Sequence, residues 1–359
     1  MSDVIQICVP LVIVLLIAVV GQRVYTPLSM LGKATLWRWG RVASALLLTW
    51  SVVSADEGPR VYRVGFVASQ SPSTAPQGVT AFRDRLRELG YIQGENLVIE
   101  TRWSGDRYDR LPQLVDEVIA RKVDILLVAA TPAALAAINA TKSIPIVGFG
   151  LADPLRTGLA TNLAHPDKNV TGLSMGWTEG AAGKWLELLQ DTVPRLSSVA
   201  VLANPDNPLV RELVNEVKAV APDRGVKIRV IDVREPAALD RAVAEAKRRA
   251  QAMLILPDPV MAAHRGRIAE LAAKARLPTM YYLRDFVEAG GLMAYGPELS
   301  VMSRRAADYV DKILKGAKPS DLPIEEPNEY VLAVNLNAAE GLKLTIPQTV
   351  MMRAGEVVR

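Results

Sequence analysis

Short apolar runs alternate with amphipathic segments along most of the chain. From residue 61 onward, apolar runs at 64–68, 97–101, 124–130 and 144–149 are separated by amphipathic segments at 77–89, 111–121 and 132–140. Strands covered on both faces are apolar at nearly every position, and the intervening segments have the period of surface helices. This alternation predicts a parallel β-sheet flanked by helices.

The same order of elements repeats in the second half. Predicted strands at 199–203, 227–232, 253–257 and 278–282 alternate with predicted helices at 209–221, 237–250 and 262–275. Val64 corresponds to Val199, and Gly90 to Gly225, at one offset of 135 residues. A duplication this regular predicts two similar lobes rather than one large sheet.

Each half continues past its fourth strand into an apolar segment, 169–174 or 291–296, and then a helix, 179–192 or 300–316. If these segments cross between lobes, each half's last helix packs on the other lobe, and the tail at 324–336 makes a third crossing. The predicted fold is therefore α/β, with two similar doubly wound parallel-sheet lobes joined by three crossover strands and hinges near Thr171, Tyr295 and Pro327. Two independent domains on a flexible linker are the alternative, but no Gly/Ser- or Pro-rich linker is visible.

These crossings set the expected domain boundaries. The N-terminal lobe comprises residues 60–173 plus 297–326, and the C-terminal lobe comprises 174–296 plus 327–359. Residues 1–55 form a leader, in which 30–55 has the basic region, apolar core and small-residue cleavage site of a secretory signal peptide. Residues 1–29 are either an upstream artefact, with translation starting at Met30, or a membrane anchor.

The charge of the chain belongs largely to that leader. Cleavage after Ala55 removes four basic residues and one acidic one, which reduces 42 against 38 to 38 against 37. The excess positive charge therefore does not indicate nucleic acid. Cys8, the single cysteine, also lies in the leader. We expect an exported protein without disulfides.

Open parallel sheets bind ligands at the carboxyl ends of their strands. The residues predicted to contact a ligand follow strands or crossovers in both halves: Ser69, Gln70, Thr131, Asp153, Ser174, Asn204, Asp258, Tyr282 and Tyr295. Ser69 and Thr131 equally fit helix caps, Asp-Pro is an ordinary turn, and the rings also suit packing at the cleft edge. A carboxylate in each half suits a solute bearing an amine.

One enzyme motif is present. Residues 172–176 read G-x-S-x-G, with Asp258 and His264 following in the order used by α/β-hydrolases. Asp258 and His264 are only six residues apart at one strand-helix junction, whereas that mechanism places acid and base on successive strand ends. A serine hydrolase is thus a minor alternative, and we predict no catalytic residue, no cofactor and no metal site.

Four stretches resemble a known family. They are ATPAALAAI at 130–138, IPIVGFGLADPLRTGL at 144–159, NVTGLS at 169–174 and YVDKILKGAKPSDLPIEEP at 309–327. They resemble the substrate-binding proteins of ABC importers with the type I periplasmic fold, in the group related to tryptophan- and tyrosine-binding components. Thr131 and Asp153 match the family's T-P and D-P positions. Asp167 departs from the glycine usual in the segment that leads into NVTG.

The resemblance implies a two-lobed extracytoplasmic receptor of the Venus flytrap type. It would close on a small polar solute, such as an amino acid or related amine, and deliver it to ABC permease subunits in the membrane. We expect a monomer that does not bind nucleic acid. The alternative function is a periplasmic ligand-sensing domain of a signalling system, anchored by the first apolar stretch.

Overall fold

The computed structural model describes residues 60–70, 76–105, 107–177 and 180–359. The predicted signal peptide and anchor lie outside the described residues. Within the described ranges, no helix is both long and apolar enough to cross a membrane.

The secondary structure alternates as predicted. The strands are β1 (Tyr62–Ala68), β2 (Leu97–Trp103), β3 (Ile125–Ala129), β4 (Ile146–Leu151), β5 (Val170–Ser174), β6 (Ser198–Ala203), β7 (Lys227–Asp232), β8 (Ala252–Ile255), β9 (Thr279–Tyr281), β10 (Met293–Gly296), β11 (Ile324–Glu325), β12 (Val331–Asn335) and β13 (Glu356–Val358). The helices are α1 (Pro76–Glu88), α2 (Leu111–Ile119), α3 (Thr131–Ala140), α4 (Ala181–Thr192), α5 (Pro208–Val220), α6 (Leu239–Arg249), α7 (Pro259–Ala263), α8 (Arg265–Ala275), α9 (Asp285–Glu288), α10 (Leu299–Leu314), α11 (Leu336–Gly341) and α12 (Gln348–Met351).

The first lobe is built on a six-stranded parallel sheet in the order β11-β5-β4-β3-β1-β2. Its central strand β3 is buried at every position. Ile125 and Leu127 pack in the cluster that contains α1 and α10 residues, whereas Leu126 and Val128 pack with α2 and α3. Successive side chains of a strand point to opposite faces, so a continuous apolar run fills the core on both sides of the sheet.

The second lobe repeats this plan in a seven-stranded sheet, ordered β13-β12-β10-β9-β8-β6-β7. Helices α4 and α5 pack together, as do α6 and α8. One pairing breaks the parallel pattern, because β12 runs antiparallel to β10. That reversal follows from the connection, since β12 enters this sheet from the other lobe.

The chain passes between the lobes three times, as predicted. After β5 it leads into α4, which packs against β8, β9 and α5 of the second lobe. After β10 it leads into α10, which packs on α1, β4 and β5 of the first lobe. The third crossing joins β11 in the first sheet to β12 in the second. Each lobe is therefore completed by segments from the other half of the sequence.

Several boundaries differ from the prediction. The helix predicted at 262–275 is two helices, α7 and α8, which meet at His264. The tail predicted at 324–336 as one crossing segment contains two strands, one in each sheet.

Asp167, the departure from the family glycine, accepts a hydrogen bond from the Thr161 backbone N–H at 2.9 Å. This bond fixes the loop that leads into β5.

Candidate functional site

A cleft between the lobes contains two adjoining chambers. The larger has a volume of 360 Å³ and the smaller 100 Å³. Both are lined by Gln70, Ala129, Phe149, Ala262, Leu283 and Leu299, so they form one continuous site. The first three belong to the first lobe and Ala262 and Leu283 to the second. A molecule held here would contact both lobes.

Aromatic side chains are concentrated at this cleft. The chain has only four phenylalanines, and Phe66, Phe149 and Phe286 line the larger chamber. Phe66 and Phe149 stack with their centroids 6.3 Å apart. In the smaller chamber, Trp177 and Tyr282 meet edge to face at 5.3 Å. Rings on both sides of the cleft provide an apolar surface suited to a flat or apolar group.

Within the residues that the structure describes, two polar atoms at the cleft are buried without a hydrogen-bond partner. They are Oε1 of Gln70, which lines both chambers, and Nε1 of Trp177, which lines the smaller one. A buried polar group without a partner costs free energy. One of these atoms is an acceptor and the other a donor. A ligand that carries both a donor and an acceptor could satisfy them.

Asp258 is the most buried carboxylate at the cleft, with 3% of its surface exposed. It caps α7, since its Oδ1 accepts from the Val260 backbone N–H at 2.9 Å. Its Oδ2 accepts from Asn207 Nδ2 at 3.0 Å and from the Tyr108 hydroxyl at 2.8 Å. Burial raises the pKa of the Asp258 carboxyl, and the Asn207 and Tyr108 hydrogen bonds oppose that shift. Three protein donors therefore already occupy the carboxylate.

The larger chamber carries charges of both signs. Arg265, Arg284, Asp285 and Glu298 all line it. Burial raises the pKa of Asp285, and the nearby positive charge of Arg265 opposes the rise. The Arg284 guanidinium lies 3.2 Å from Glu356 and 3.7 Å from Glu298, which ties this wall to the last strand and to the second crossing.

Among the predicted residues of the first lobe, Gln70 and Thr131 line the cleft. Thr131 does not cap α3, because the helix begins at Thr131 itself after Ala130. Its hydroxyl instead accepts from the Ala152 backbone N–H at 2.8 Å. Asp153 is absent from the lining of both chambers among the described residues. Its carboxylate pairs with Arg156, which also donates to the Trp177 carbonyl.

Other predicted residues also bond to protein atoms rather than lining the chambers. Ser69 Oγ lies 3.5 Å from the Ala129 carbonyl. Ser174 Oγ accepts from the Gly176 N–H, and Asn204 Oδ1 accepts from the Asp206 N–H. In the second lobe, Asp258 and Tyr282 line the smaller chamber. Of the nine predicted residues, the described chambers therefore bring together Gln70, Thr131, Asp258 and Tyr282.

Tyr295 lies at the crossings. It lines a separate cavity of 230 Å³ with Trp177, Trp185 and Tyr330, and its carbonyl accepts from Trp185 Nε1 at 2.7 Å. The Tyr330 hydroxyl, on the third crossing, donates to the Met175 carbonyl on the first at 2.9 Å. At Gly176 (φ 63°), a Cβ would lie 2.3 Å from that hydroxyl. The crossings therefore pack directly against one another.

Sequence reasoning missed several residues of the cleft. Phe66, Phe149 and Phe286 fall within strands or helices, where an apolar residue ordinarily predicts core packing. Asp285 begins α9 shortly after β9, and that position after a strand end was the available signal. Arg265 begins α8 directly after α7, so it does not follow a strand. Tyr108 had no such signal, because it lies in a short 3₁₀ helix after an edge strand.

No group of three or more His, Cys, Asp or Glu residues placed to hold a metal ion occurs in the part of the chain that the structure describes. Ser174 is the last residue of β5 in the first sheet, whereas Asp258 and His264 belong to the second lobe. The G-x-S-x-G segment forms the end of β5 and the first crossing, where Gly176 accommodates Tyr330.

Comparisons with known proteins agree with this fold. The chain is 21% identical over 263 residues, 73% of its length and 75% of the relative's, to a tyrosine-binding protein from Clostridioides difficile (strain R20291). A conserved domain protein from Vibrio cholerae is 27% identical, with a TM-score of 0.76 over 83% of this chain and 100% of that one. An ABC domain from Streptococcus pneumonia, solved in complex with L-Trp, is 23% identical, with a TM-score of 0.75 and the same coverage.

The family model described as ABC transporter substrate binding protein matches residues 65–358, well over half of the chain. The resemblance seen in the sequence is thereby confirmed, as is the two-lobed type I periplasmic fold. Members of this family bind substrates and are not enzymes, so the serine hydrolase alternative is wrong. The chain belongs to the family of ABC transporter substrate-binding proteins.

Proposed function

We propose that this protein is the extracytoplasmic solute receptor of an ABC importer, and that it closes its lobes around an amino acid or related amine and delivers it to the permease. The observation that carries this proposal is the cleft, which is lined from both lobes and contains aromatic rings and two unpartnered polar atoms. Binding sites for small molecules combine such apolar walls with a few polar groups that fix orientation.

The chemistry of the cleft favours an aromatic amino acid. The rings of Phe66, Phe149, Trp177 and Tyr282 suit an aromatic side chain, and Arg265 and Asp285 provide opposite charges for a zwitterion. The relatives add support, since one is named for tyrosine and another was solved with L-Trp. A donor group of the solute would pair with Gln70 Oε1, and an acceptor with Trp177 Nε1.

Closure supplies the mechanism of retention. A ligand shifts an open–closed equilibrium only by its preference for one state, so a solute that contacts both lobes favours the closed one. The packed crossings at Met175, Gly176 and Tyr330 are suited to act as the hinge. The lobes would be those predicted from the sequence, 60–173 plus 297–326 and 174–296 plus 327–359. We infer export through a signal peptide at 30–55 and action as a monomer in the periplasm.

Calorimetric titration of the purified protein tests the solute class. L-tyrosine or L-tryptophan is expected to bind at micromolar or lower Kd, with L-alanine and D-ribose as controls. Trp177→Phe keeps an aromatic ring but removes the Nε1 donor. It is expected to weaken binding about tenfold, the scale of one hydrogen bond in a buried site. Binding of ribose but of neither aromatic amino acid would overturn the proposed class.

Uptake tests the importer role. Cells that lack this gene should accumulate radiolabelled ligand more slowly than the parent strain, and reintroducing the gene should restore the rate. Equal uptake in both strains, with binding intact in the purified protein, would contradict delivery to a permease and favour a sensing role.

A further inference from the structure

A hydrogen bond between Tyr108 and Asp258 joins the two walls of the cleft. Tyr108 lies in the 3₁₀ helix Tyr108–Arg110, which follows β2 of the first lobe. Asp258 follows β8 of the second lobe, 150 residues later. The Tyr108 hydroxyl donates to Asp258 Oδ2 at 2.8 Å. The bond therefore requires the lobes to be as close as they are in this structure.

The acceptor is positioned by the second lobe alone. Asp258 receives the Val260 N–H at Oδ1 and the Asn207 amide at Oδ2, and its backbone carbonyl accepts from the Tyr282 hydroxyl at 2.8 Å. All three donors are in the second lobe. Separation of the lobes would leave the carboxylate in place and break only the bond to Tyr108.

We propose that Tyr108 and Asp258 form an interlobe latch, a hydrogen bond made on closure that determines how long the solute is retained. This inference rests on the proposed function, since retention presupposes a solute. It assigns Asp258 to closure rather than to the solute's amine, because protein donors already occupy its carboxylate. Apparent affinity scales with the population of the binding-competent state. Loss of the latch therefore lowers the affinity without removing any contact between protein and solute.

The chain provides a matched control for this bond. Tyr91 also donates its hydroxyl to a carboxylate, Asp311 Oδ1, at 2.9 Å. Asp311 lies in α10, which packs on the first lobe. Tyr91 lies in the loop between α1 and β2 of the same lobe. Both residues therefore belong to the first lobe. The two pairs have the same chemistry, but only Tyr108–Asp258 spans the cleft.

The test compares Tyr108→Phe with Tyr91→Phe in the full-length protein, titrated with L-tyrosine and L-tryptophan. Tyr108→Phe is expected to raise Kd about tenfold through faster dissociation, the scale of one hydrogen bond to a charged acceptor. The melting temperature of its ligand-free form should change little. Tyr91→Phe is expected to lower the melting temperature and leave Kd unchanged. An unchanged Kd in Tyr108→Phe, or an equal loss of affinity in Tyr91→Phe, would refute the latch.

A second measurement does not depend on which solute binds. Cys8 is the only cysteine, so Cys8→Ser with Asp116→Cys on α2 and Lys247→Cys on α6 places one label on each lobe. The interlobe distance distribution of the ligand-free protein should shift toward longer distances when Tyr108→Phe is added. An identical distribution overturns the latch. If that shift occurs but the parent protein binds neither amino acid, the proposed solute class fails and the latch stands.

Discussion

The loops that follow the third strand of each lobe occupy equivalent places but are built differently. In the first lobe, Ala130 precedes α3 without a side-chain cap, and the Thr131 hydroxyl accepts from the backbone of Ala152, beyond β4. In the second lobe, Asp258 caps α7 with its own side chain, and its backbone carbonyl accepts from the hydroxyl of Tyr282, beyond β9.

Both loops are therefore tied to the next loop along the same sheet edge, by opposite means. In the first lobe, a side-chain hydroxyl accepts from a backbone N–H of the next loop. In the second lobe, a backbone carbonyl accepts from a side-chain hydroxyl of the next loop. Of these two loops, only the second carries a carboxylate, Asp258, and this carboxylate accepts a hydrogen bond from Tyr108 of the other lobe. The duplicated fold therefore determines the position of each loop. The side chains that the loop carries determine whether it forms hydrogen bonds within its own lobe or with the other lobe.

The largest expected effect comes from Asp258→Ala. It removes the cap of α7 and leaves the Asn207 amide without its carboxylate partner, which together cost about 2 kcal/mol of unfolding free energy after the burial cost of the carboxylate is regained. Kd should also rise at least about tenfold with the loss of the latch. Urea unfolding and calorimetry check both values. Asp258→Asn, which can still cap the helix, should lose less stability, and equal losses would contradict the capping role.

Thr131→Val tests whether the loop of the first lobe affects stability without affecting solute affinity. Valine keeps the shape but leaves the buried Ala152 N–H without its acceptor, so unfolding free energy should fall by about 1 kcal/mol. Kd should change less than about threefold, because the hydroxyl is already used within the lobe. Parallel titration with Asp258→Ala checks the contrast. A tenfold or greater loss of affinity in Thr131→Val would show that the Thr131 hydroxyl contacts the solute.

The smallest effect is expected from Ala130→Gly, with the opposite sign. Ala130 has φ 71° and ψ 159°, a region that is essentially restricted to glycine and costs a side-chain-bearing residue on the order of 1–3 kcal/mol. After the extra chain entropy of glycine, the variant should gain about 1 kcal/mol of unfolding free energy. Ala134→Gly, inside α3, should instead lose about 1 kcal/mol. A loss in both variants would show that Ala130 carries no strain.

The sequence predicts much of this arrangement through strand ends. Thr131 and Asp258 could be located because each follows an apolar strand and precedes a proline. Asp153 was predicted to contact the ligand, whereas its carboxylate pairs with Arg156, three residues later in the chain. Phe66 could not be separated from core residues, because strands buried on both faces show no alternation that marks a cleft wall. Tyr108 depends on how the lobes meet, which no local pattern records.

The exchange of segments between lobes also bears on how the polypeptide folds as it is synthesised. The first sheet needs β11 at Ile324–Glu325 for its edge and α10 for one face. An emerging chain cannot complete this lobe until residue 325 has left the ribosome, although its first strand begins at Tyr62. Contacts between such distant residues slow folding. A polypeptide connected in this way stays incompletely folded through most of its synthesis, which is the state that a membrane translocation channel accepts.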